Sequence, residues 1–219
     1  LDMLDALSSV KGVSGADYIN NTYIRKGLAN ETIQDIGFTQ NLYYEKLLSL
    51  NPDMLMAYEV EGKTNYVNKL KSLDIPVVFN GDYLENTPLG KAEWIKFVAA
   101  FYNKETQAIK HYRRISKAYI SLKQKMDTVS HRPSVFTGLP FKGTWYVPGG
   151  ESYMAHLIHD AGGSYLWPDN KKRESIGLSV ESVFASAGKA DFWLNTGRAN
   201  TLKDLARRDP RFKELQAYQ

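Results

Sequence analysis

The chain has 219 residues, of which 43% are hydrophobic and 24% are charged, and its formal net charge is +4. This length can bury a sizeable core in one large or two small domains, and the composition is typical of a globular protein. Lys and Arg are interspersed with acidic residues, which argues against nucleic-acid binding. The sequence contains no cysteine, which excludes disulfides, thiolate metal sites and a cysteine nucleophile. No apolar run has the length of a membrane span, and no signal peptide pattern is present.

The first segment alternates short apolar runs with polar and aromatic residues. Residues 10–13 are predicted to form a short strand, and residues 17–24 a loop or a short helix. Gly27 to Asn30 is predicted to be a turn that leads into a strand near residues 33–36.

A helix–strand–helix–strand pattern follows, punctuated by Pro and Asp. The helix at residues 41–50 must end near Asn51, because the next residue is a proline, which cannot continue it. Residues 54–58 form a short apolar run, which predicts a strand covered on both faces. A helical spacing of apolar residues over 65–73 and a second apolar run at 75–79 complete a parallel, right-handed βαβ unit.

The central segment is predicted to be helical. Thr87 followed by Pro88 is typical of an N-cap and the first residue of a helix. Few helix breakers occur from there to Asp127, so we predict one long helix in the segment 87–130. Unbroken, it would reach about 60 Å at 1.5 Å per residue. Asn103 is the position where a kink or break is expected.

After this segment the βα pattern starts again. The predicted elements are a strand at 134–138, helices at 152–161 and 180–187, a strand at 191–195 and a helix at 201–208. The sequence therefore predicts an α/β protein with an N-terminal lobe at 1–86, a long linking helix at 87–130 and a C-terminal lobe at 131–219.

Several phrases, in this order and spacing, resemble the N-terminal lobe of the substrate-binding proteins of ABC importers for iron–siderophore complexes, haem and cobalamin. They are residues 35–37 (DIG), 45–53 (EKLLSLNPD), 69–76 (KLKSLDIP) and 77–79 (VVF). Residues 85–97 (ENTPLGKAEWIKF) resemble the subset common in Bacteroidetes. The resemblance covers nearly the whole chain and weakens after about Asn200. It implies the class III periplasmic binding protein fold, with parallel central sheets in two lobes joined by a long backbone helix.

The resemblance also implies a function. Such a protein captures a ferric siderophore or related iron chelate between its lobes and delivers it to a permease in the inner membrane; haem and cobalamin are the alternatives. It would be a periplasmic monomer, lipid-anchored, with no cofactor besides its ligand. The chain would lack a leader and first strand before Leu1 and further elements after Gln219. The family docks through acidic residues; the matching position here is Thr64, with Glu61 three residues earlier, so the docking residue stays open.

Open α/β sheets bind ligands beyond the carboxyl ends of their strands, which selects a set of loops. These loops are residues 14–18, 38–43, 58–62 and 80–83 in the first lobe, and 137–146, 165–169 and 195–200 in the second. The candidate ligand-contacting residues are Phe38, Gln40, Tyr43, Tyr58, Asn80, Lys142, Trp145, Tyr146, Tyr165, Trp167 and Arg198. Aromatic rings stack on flat or conjugated ligands, although any one of them can instead pack its loop onto the lobe. By resemblance, Tyr58 matches the family's ligand-contacting aromatic residue.

Charged and metal-binding candidates are fewer. Lys142 and Arg198 would complement an anionic ferric chelate, although loop cations are commonly just solvated. Residues 149–152 (GGES) could hold an anion at a helix start, but a turn with Ser152 as N-cap is favoured. His156 and His159 have a spacing compatible with metal binding, but a surface or packing role is favoured.

No catalytic set is recognisable. Nucleophile-elbow, Walker and dinucleotide-binding glycine motifs are missing from the sequence. A chelatase-like or nitrogenase-like enzyme of two α/β lobes is the competing class, but it would need cysteines for a cluster or a convergent group of His and carboxylates. The sequence therefore predicts a binding protein and not an enzyme.

Overall fold

The computed structural model describes residues 1–38, 41–58 and 65–219, with the backbone alone for Asn65. Packing divides the chain into two compact units. The first unit comprises Leu1–Leu84 and Trp94–Tyr112, and the second comprises Glu85–Glu93 and Arg113–Gln219. The segment predicted as one linking element at 87–130 is thus shared between the two units. Among the described residues, no helix is both long and apolar enough to cross a membrane.

The first unit contains short strands and short helices. Its strands are β1 (Gly12–Val13), β2 (Gln34–Asp35), β3 (Gly37–Phe38), β4 (Asn41–Leu42), β5 (Leu55–Ala57) and β6 (Val77–Phe79), and its helices include α1 (Thr22–Ala29), α2 (Tyr44–Leu50) and α3 (Asn65–Ser72). Strands β1 and β2 pair in parallel, β3 and β4 pair antiparallel, and β5 and β6 pair in parallel. The predicted order of strand, helix, strand, helix and strand between residues 33 and 79 is confirmed in outline. The predicted start of the helix at residue 41 is wrong, because Asn41–Leu42 forms β4, which pairs with β3, and the helix begins at Tyr44.

The βαβ unit of β5, α3 and β6 has the predicted parallel pairing, with Leu55 opposite Val77 and Ala57 opposite Phe79. Helix α3 turns its apolar face to the core, where Leu70 is fully buried. Burial of such a side chain contributes about 1.5–3 kcal/mol. The side chains of β5 are only half-buried, so the expectation of a strand covered on both faces is wrong.

Local residues explain where the first helices begin and end. Asn51 caps the C-terminus of α2 in a left-handed conformation, with φ of 43°, and the helix ends there as predicted. The predicted turn at Gly27 is wrong, because Asn21 caps α1 and the helix continues to Ala29. A Cβ at Gly27 would lie 2.5 Å from the side chain of Ile33. The glycine therefore allows the helix to pack closely against the next strand.

The central segment forms two helices, α4 (Pro88–Ala100) and α5 (Glu105–Asp127). The backbone amide of Gly90 donates to Thr87 Oγ1 at 3.1 Å, which confirms the predicted cap. The single helix expected over 87–130 is corrected: Asn103 has φ of 52°, a left-handed conformation that asparagine tolerates and that ends helical hydrogen bonding. The break lies where it was predicted, and the long helix is α5 alone, with 23 residues.

The second unit combines a parallel sheet with an antiparallel one. Its strands are β7 (Ser134–Thr137), β8 (Pro140–Phe141), β9 (Thr144–Val147), β10 (Ser164–Tyr165), β11 (Ile176–Ser179) and β12 (Phe192–Leu194), and its helices include α6 (Tyr153–Asp160), α7 (Val180–Ala187) and α8 (Leu202–Arg208). The parallel sheet has the order β10–β7–β12 and the antiparallel sheet the order β11–β9–β8. Strands β7 and β12 and the three helices confirm predictions, whereas β10 and the antiparallel sheet have no counterpart in the predicted elements.

The hairpin of β8 and β9 explains why the sequence pattern does not predict the antiparallel sheet. Phe141 pairs with Thr144 across a two-residue turn, in which Lys142 and Gly143 have φ of 49° and 80°. Two successive positive φ angles define the type I′ turn that suits a hairpin. Lys-Gly is a less typical sequence for this turn than Asn-Gly, so the pattern of residues 137–146 predicts a loop and not a hairpin.

Candidate functional site

A cleft of about 430 Å³ lies in the first unit, at the carboxyl ends of β5 and β6. It is lined by Met56, Ala57, Tyr58, Asn80, Asp82 and Tyr83. The residues come from the last positions of one strand and from the loops that follow both strands. Two loops selected by the strand-end rule therefore meet at one cleft.

Two tyrosine rings form a wall of this cleft. Tyr58 and Tyr83 meet edge to face, with ring centroids 6.0 Å apart and an interplanar angle of 70°. Each side chain keeps nearly half of its surface exposed, 43% and 47% respectively. The hydroxyl of Tyr66 on α3 donates to the backbone carbonyl of Tyr58 at 2.7 Å. The helix thus fixes the backbone that carries the first ring.

Asn80 also lines the cleft and is held by two hydrogen bonds. Its backbone amide donates to the Ala57 carbonyl at 2.7 Å, which extends the pairing of β5 and β6 by one bond. Its side-chain Oδ1 accepts a hydrogen bond from the backbone amide of Asp82 at 3.0 Å. This Asx turn orients the loop that carries both Asp82 and Tyr83.

The structure brings some of the predicted first-lobe residues together and not others. Tyr58 and Asn80 line the cleft. Phe38 and Tyr43 are exposed at the β3–β4 hairpin and do not line it; Lys46 Nζ lies 5.2 Å from the centroid of the Tyr43 ring. Gln40, together with Glu61 and Thr64, lies outside the described residues.

Asp82 and Tyr83 complete the cleft, but neither is among the predicted ligand-contacting residues. Both lie in the loop at residues 80–83, which the strand-end rule selected. The predicted contacts in the first lobe are aromatic rings and side-chain amides, and none of them is a carboxylate such as Asp82. The signal that could have found Asp82 is its position two residues after Asn80, at the end of a predicted strand.

The aromatic candidates of the second unit include core residues. Trp145 is fully buried, and its Nε1 donates to the carbonyl of Thr137 at 3.0 Å. Its ring packs against Phe136, Trp193 and Phe212. A fully buried ring has no face for a ligand, so the expectation that Trp145 stacks on one is corrected.

Tyr165 and Trp167 also pack. Tyr165 is 5% exposed, and its hydroxyl donates to the Pro148 carbonyl at 2.5 Å. Burial raises the pKa of Tyr165 well above its ordinary value. The half-buried Trp167 ring meets it edge to face at 5.7 Å. For Tyr165 the structure favours the packing interpretation over ligand contact.

The remaining second-lobe candidates are exposed. Tyr146 lies on β9 with 53% of its surface exposed. Lys142, at the hairpin tip, places Nζ 5.5 Å from the centroid of the Phe141 ring. Arg198 is exposed in the loop after β12. Because β7 and β12 are parallel neighbours, the loops that carry Lys142 and Arg198 leave the same edge of the sheet.

The glycine pair before α6 serves close packing. The amides of Gly149 and Glu151 donate to the carbonyls of Glu174 and Lys172, at 3.0 and 3.1 Å. A Cβ at Gly149 would lie 2.1 Å from the Lys172 carbonyl oxygen. Ser152 accepts a hydrogen bond from the Ala155 amide at 3.2 Å, so the favoured N-cap is confirmed and these amides are occupied by the backbone.

The histidines on α6 have a surface position: His159 is exposed and His156 is partly exposed. His159 Nδ1 lies 3.3 Å from Asp160 Oδ1, and that carboxylate also accepts from Lys123 at 2.5 Å and from the Tyr119 hydroxyl at 2.7 Å. Burial acts to raise the pKa of Asp160, but the hydrogen bonds from Lys123, Tyr119 and His159 outweigh it, so this pKa lies below its ordinary value. Within the described ranges, no group of three His, Asp or Glu residues is placed to hold a metal ion.

Comparison with known proteins identifies the family. Residues 1–219 match the periplasmic binding protein family. An uncharacterized lipoprotein of Methanocaldococcus jannaschii is 28% identical over 216 residues, which is 96% of this chain and 51% of that protein. The chain therefore spans about half the length of this curated relative.

Solved structures show the same fold at lower identity. The periplasmic haem-binding protein HutB of Vibrio cholerae has a TM-score of 0.74 and 20% identity, covering 99% of this chain and 80% of its own. A possible iron-binding periplasmic solute-binding protein of Staphylococcus epidermidis has a TM-score of 0.72 and 17% identity, covering 100% of this chain and 81% of its own. At these identities the likeness establishes the two-lobed class III fold.

The enzyme alternative loses its basis with this match. A chelatase-like or nitrogenase-like assignment rested on a shared two-lobed architecture, whereas the matched family consists of solute-binding proteins and not of enzymes. The match over all 219 residues, the α/β fold and the aromatic cleft at the strand ends agree: the chain belongs to the periplasmic binding protein family.

Proposed function

We propose that this protein is the extracytoplasmic solute-binding component of an ABC importer. It captures a ferric siderophore or a related iron chelate and delivers it to a permease in the inner membrane. The observation that carries the proposal is the cleft walled by Tyr58 and Tyr83 in a chain of this family. A pair of half-exposed rings is costly to leave in water and offers flat area to a ligand.

The dimensions and position of the cleft support a small-molecule ligand. Its volume of about 430 Å³ falls within the range of roughly 300–1,000 Å³ that is typical of ligand pockets. Its location at the carboxyl ends of β5 and β6 is where open α/β sheets bind ligands. The Staphylococcus epidermidis neighbour, described as possibly iron-binding, favours an iron chelate.

Haem and cobalamin are the alternative ligands. The Vibrio cholerae neighbour is described as haem-binding, and aromatic walls suit a macrocycle as well as a chelate. The three ligands differ in the charge and in the hydrogen-bonding groups that they present, so binding assays with each of them separate the alternatives.

The family and a curated relative also support a cellular location for this protein. A family of periplasmic binding proteins and a relative named as a lipoprotein favour a protein that works outside the cytoplasm and is attached to a membrane by lipid. In this role the protein acts as a monomer, with the permease as its partner.

Ligand titration tests the proposal. The intrinsic fluorescence of the four tryptophans and fourteen tyrosines would be followed while a ferric hydroxamate siderophore, haem or cobalamin is added. We expect saturable quenching with one-to-one stoichiometry, together with a rise in melting temperature, for at least one ligand. If none of the three changes either signal, the proposed ligand class is wrong.

A further inference from the structure

The cleft is mainly aromatic, and this character does not explain why Asp82 is part of its lining. The residue is partly exposed and lines the cleft beside Tyr83. Its carboxylate forms no hydrogen bond or ion pair with the part of the chain that the structure describes. The other described polar groups of the lining are two phenols and the amide of Asn80. The carboxylate is therefore available to whatever enters.

The position of this carboxylate is defined by the backbone. Asn80 Oδ1 accepts from the Asp82 amide at 3.0 Å, and the Leu84 amide donates to the Gly81 carbonyl at 3.0 Å. These two bonds fix the short turn at Asp82–Leu84. Asp82 thus projects from a shaped turn at the mouth of a cavity, and not from an irregular stretch of surface.

The chemistry of the lining restricts the ligand. An ionised carboxylate only accepts hydrogen bonds, and it needs a partner when a ligand displaces its water. A second carboxylate brought close to it would be repelled, and this cost grows as the cleft is desolvated. An ammonium, amide or hydroxyl group would instead form a charge-assisted hydrogen bond.

We infer that this cleft takes a hydrogen-bond-donating, uncharged or cationic part of the ligand, and that Asp82 determines this specificity. The inference rests on the proposed function and narrows its ligand class: chelates that carry ammonium, amide or hydroxyl donors bind here in preference to ligands that present carboxylates. The exposed cations Lys142 and Arg198 belong to the second unit, and neither is part of the lining of this cleft.

A matched pair of ligands tests the inference. Ferrioxamine B is a ferric tris-hydroxamate with a free ammonium group, and its N-acetylated derivative is the same chelate without that charge. Haem, with its two carboxylates, is the opposing probe. Affinities for all three would be measured by calorimetry with the unsubstituted protein, Asp82→Asn and Asp53→Asn. Asp53 is an exposed residue of the same unit, before β5, at the other end of that strand from the cleft.

We expect the unsubstituted protein to bind ferrioxamine B about tenfold more tightly than its acetylated form, which is the size of one charge-assisted hydrogen bond. Asp82→Asn should remove this preference and leave haem binding unchanged or tighter. Asp53→Asn makes the same change in net charge and should keep the preference.

The other outcomes are distinguishable. Equal affinity for both ferrioxamines, unaltered by Asp82→Asn, overturns the role of Asp82 and leaves the proposed function standing. Binding of haem alone likewise overturns the inference and selects the haem alternative. If the unsubstituted protein binds none of the probes, nor cobalamin, the proposed function fails and the inference fails with it.

Discussion

The segments predicted to follow strands carry aromatic residues in both units, but with opposite outcomes. In the first unit, Tyr58 and Tyr83 remain nearly half exposed and face a cleft. In the second unit, Trp145 and Tyr165 are buried and hydrogen-bonded to backbone carbonyls. A position after a predicted strand therefore does not decide whether a ring faces a cleft or enters the core. The structure that follows the strand decides it.

The difference arises from what the chain does next. After β6 it turns at once, through Asn80, and the next ring is left at the edge of the sheet. After β7 it folds into the β8–β9 hairpin, whose alternate side chains point to opposite faces. Trp145 and Val147 consequently enter the core while Tyr146 between them is exposed. The β8–β9 hairpin thus places residues of a predicted ligand-binding loop in the hydrophobic core.

The largest expected effect is a loss of stability when a buried ring of the second unit is removed. Trp145→Ala should lower the free energy of unfolding by about 3–5 kcal/mol, because it empties a site at the centre of an aromatic cluster. Urea denaturation followed by circular dichroism measures it. If the variant folds with nearly normal stability but no longer binds ligand, Trp145 belongs to the binding site. The contrast drawn between the two units would then be wrong.

The next effect concerns affinity. Tyr58→Ala should weaken ligand binding by about tenfold, which corresponds to ~1.4 kcal/mol, because it removes one wall of the cleft. Calorimetry would be combined with matched circular dichroism to exclude unfolding. Tyr146→Ala is the control, since that ring is equally exposed but does not line the cleft. Equal losses in both variants would mean that exposure, and not the cleft, selects the contacting rings.

A smaller effect tests the buried tyrosine. Tyr165→Phe removes the hydroxyl that donates to the Pro148 carbonyl and should destabilise the protein by about 1 kcal/mol. Thermal unfolding measures the stability change. Ligand affinity should stay as it is; a selective loss of affinity would show that the hydroxyl, despite its burial, acts on the ligand.

The smallest effects are expected at the exposed cations. Lys142→Gln and Arg198→Gln should each change the affinity for an anionic probe such as haem by about two- to threefold, because exposed charges are screened by solvent and salt. Titrations at low and high ionic strength measure this. A tenfold loss that persists at high salt would place either cation in a desolvated contact and give the second unit a direct role in recognition.

The sequence predicts the periodic parts of the fold well. The turn at Asn51 and the apolar runs on either side of α3 are sufficient to predict the parallel pairing of β5 and β6, because each signal is local and repeated. The break at Asn103 also lies where the sequence predicts it. The antiparallel sheet escaped prediction because it depends on a Lys-Gly turn and on a strand at Ile176–Ser179 that lies far along the chain.

The candidate site was predictable only in part. The strand-end rule found the loops of Tyr58 and Asn80, and the structure places both residues in one cleft. It could not separate Trp145 from an exposed ring, because burial there depends on pairing with β11. For Asp82 the sequence offers only its position in the loop after a predicted strand, which does not distinguish a carboxylate in a cleft from a solvated one.

The division of the chain into two units has a consequence for dissecting the protein. One boundary falls between Glu93 and Trp94 within α4, and another between Tyr112 and Arg113 within α5. A cut at either place interrupts a helix and leaves backbone amides and carbonyls without their i and i+4 partners. Neither unit can therefore be separated from the other by cutting a flexible linker. Exchange of halves between relatives would therefore have to preserve both helices intact.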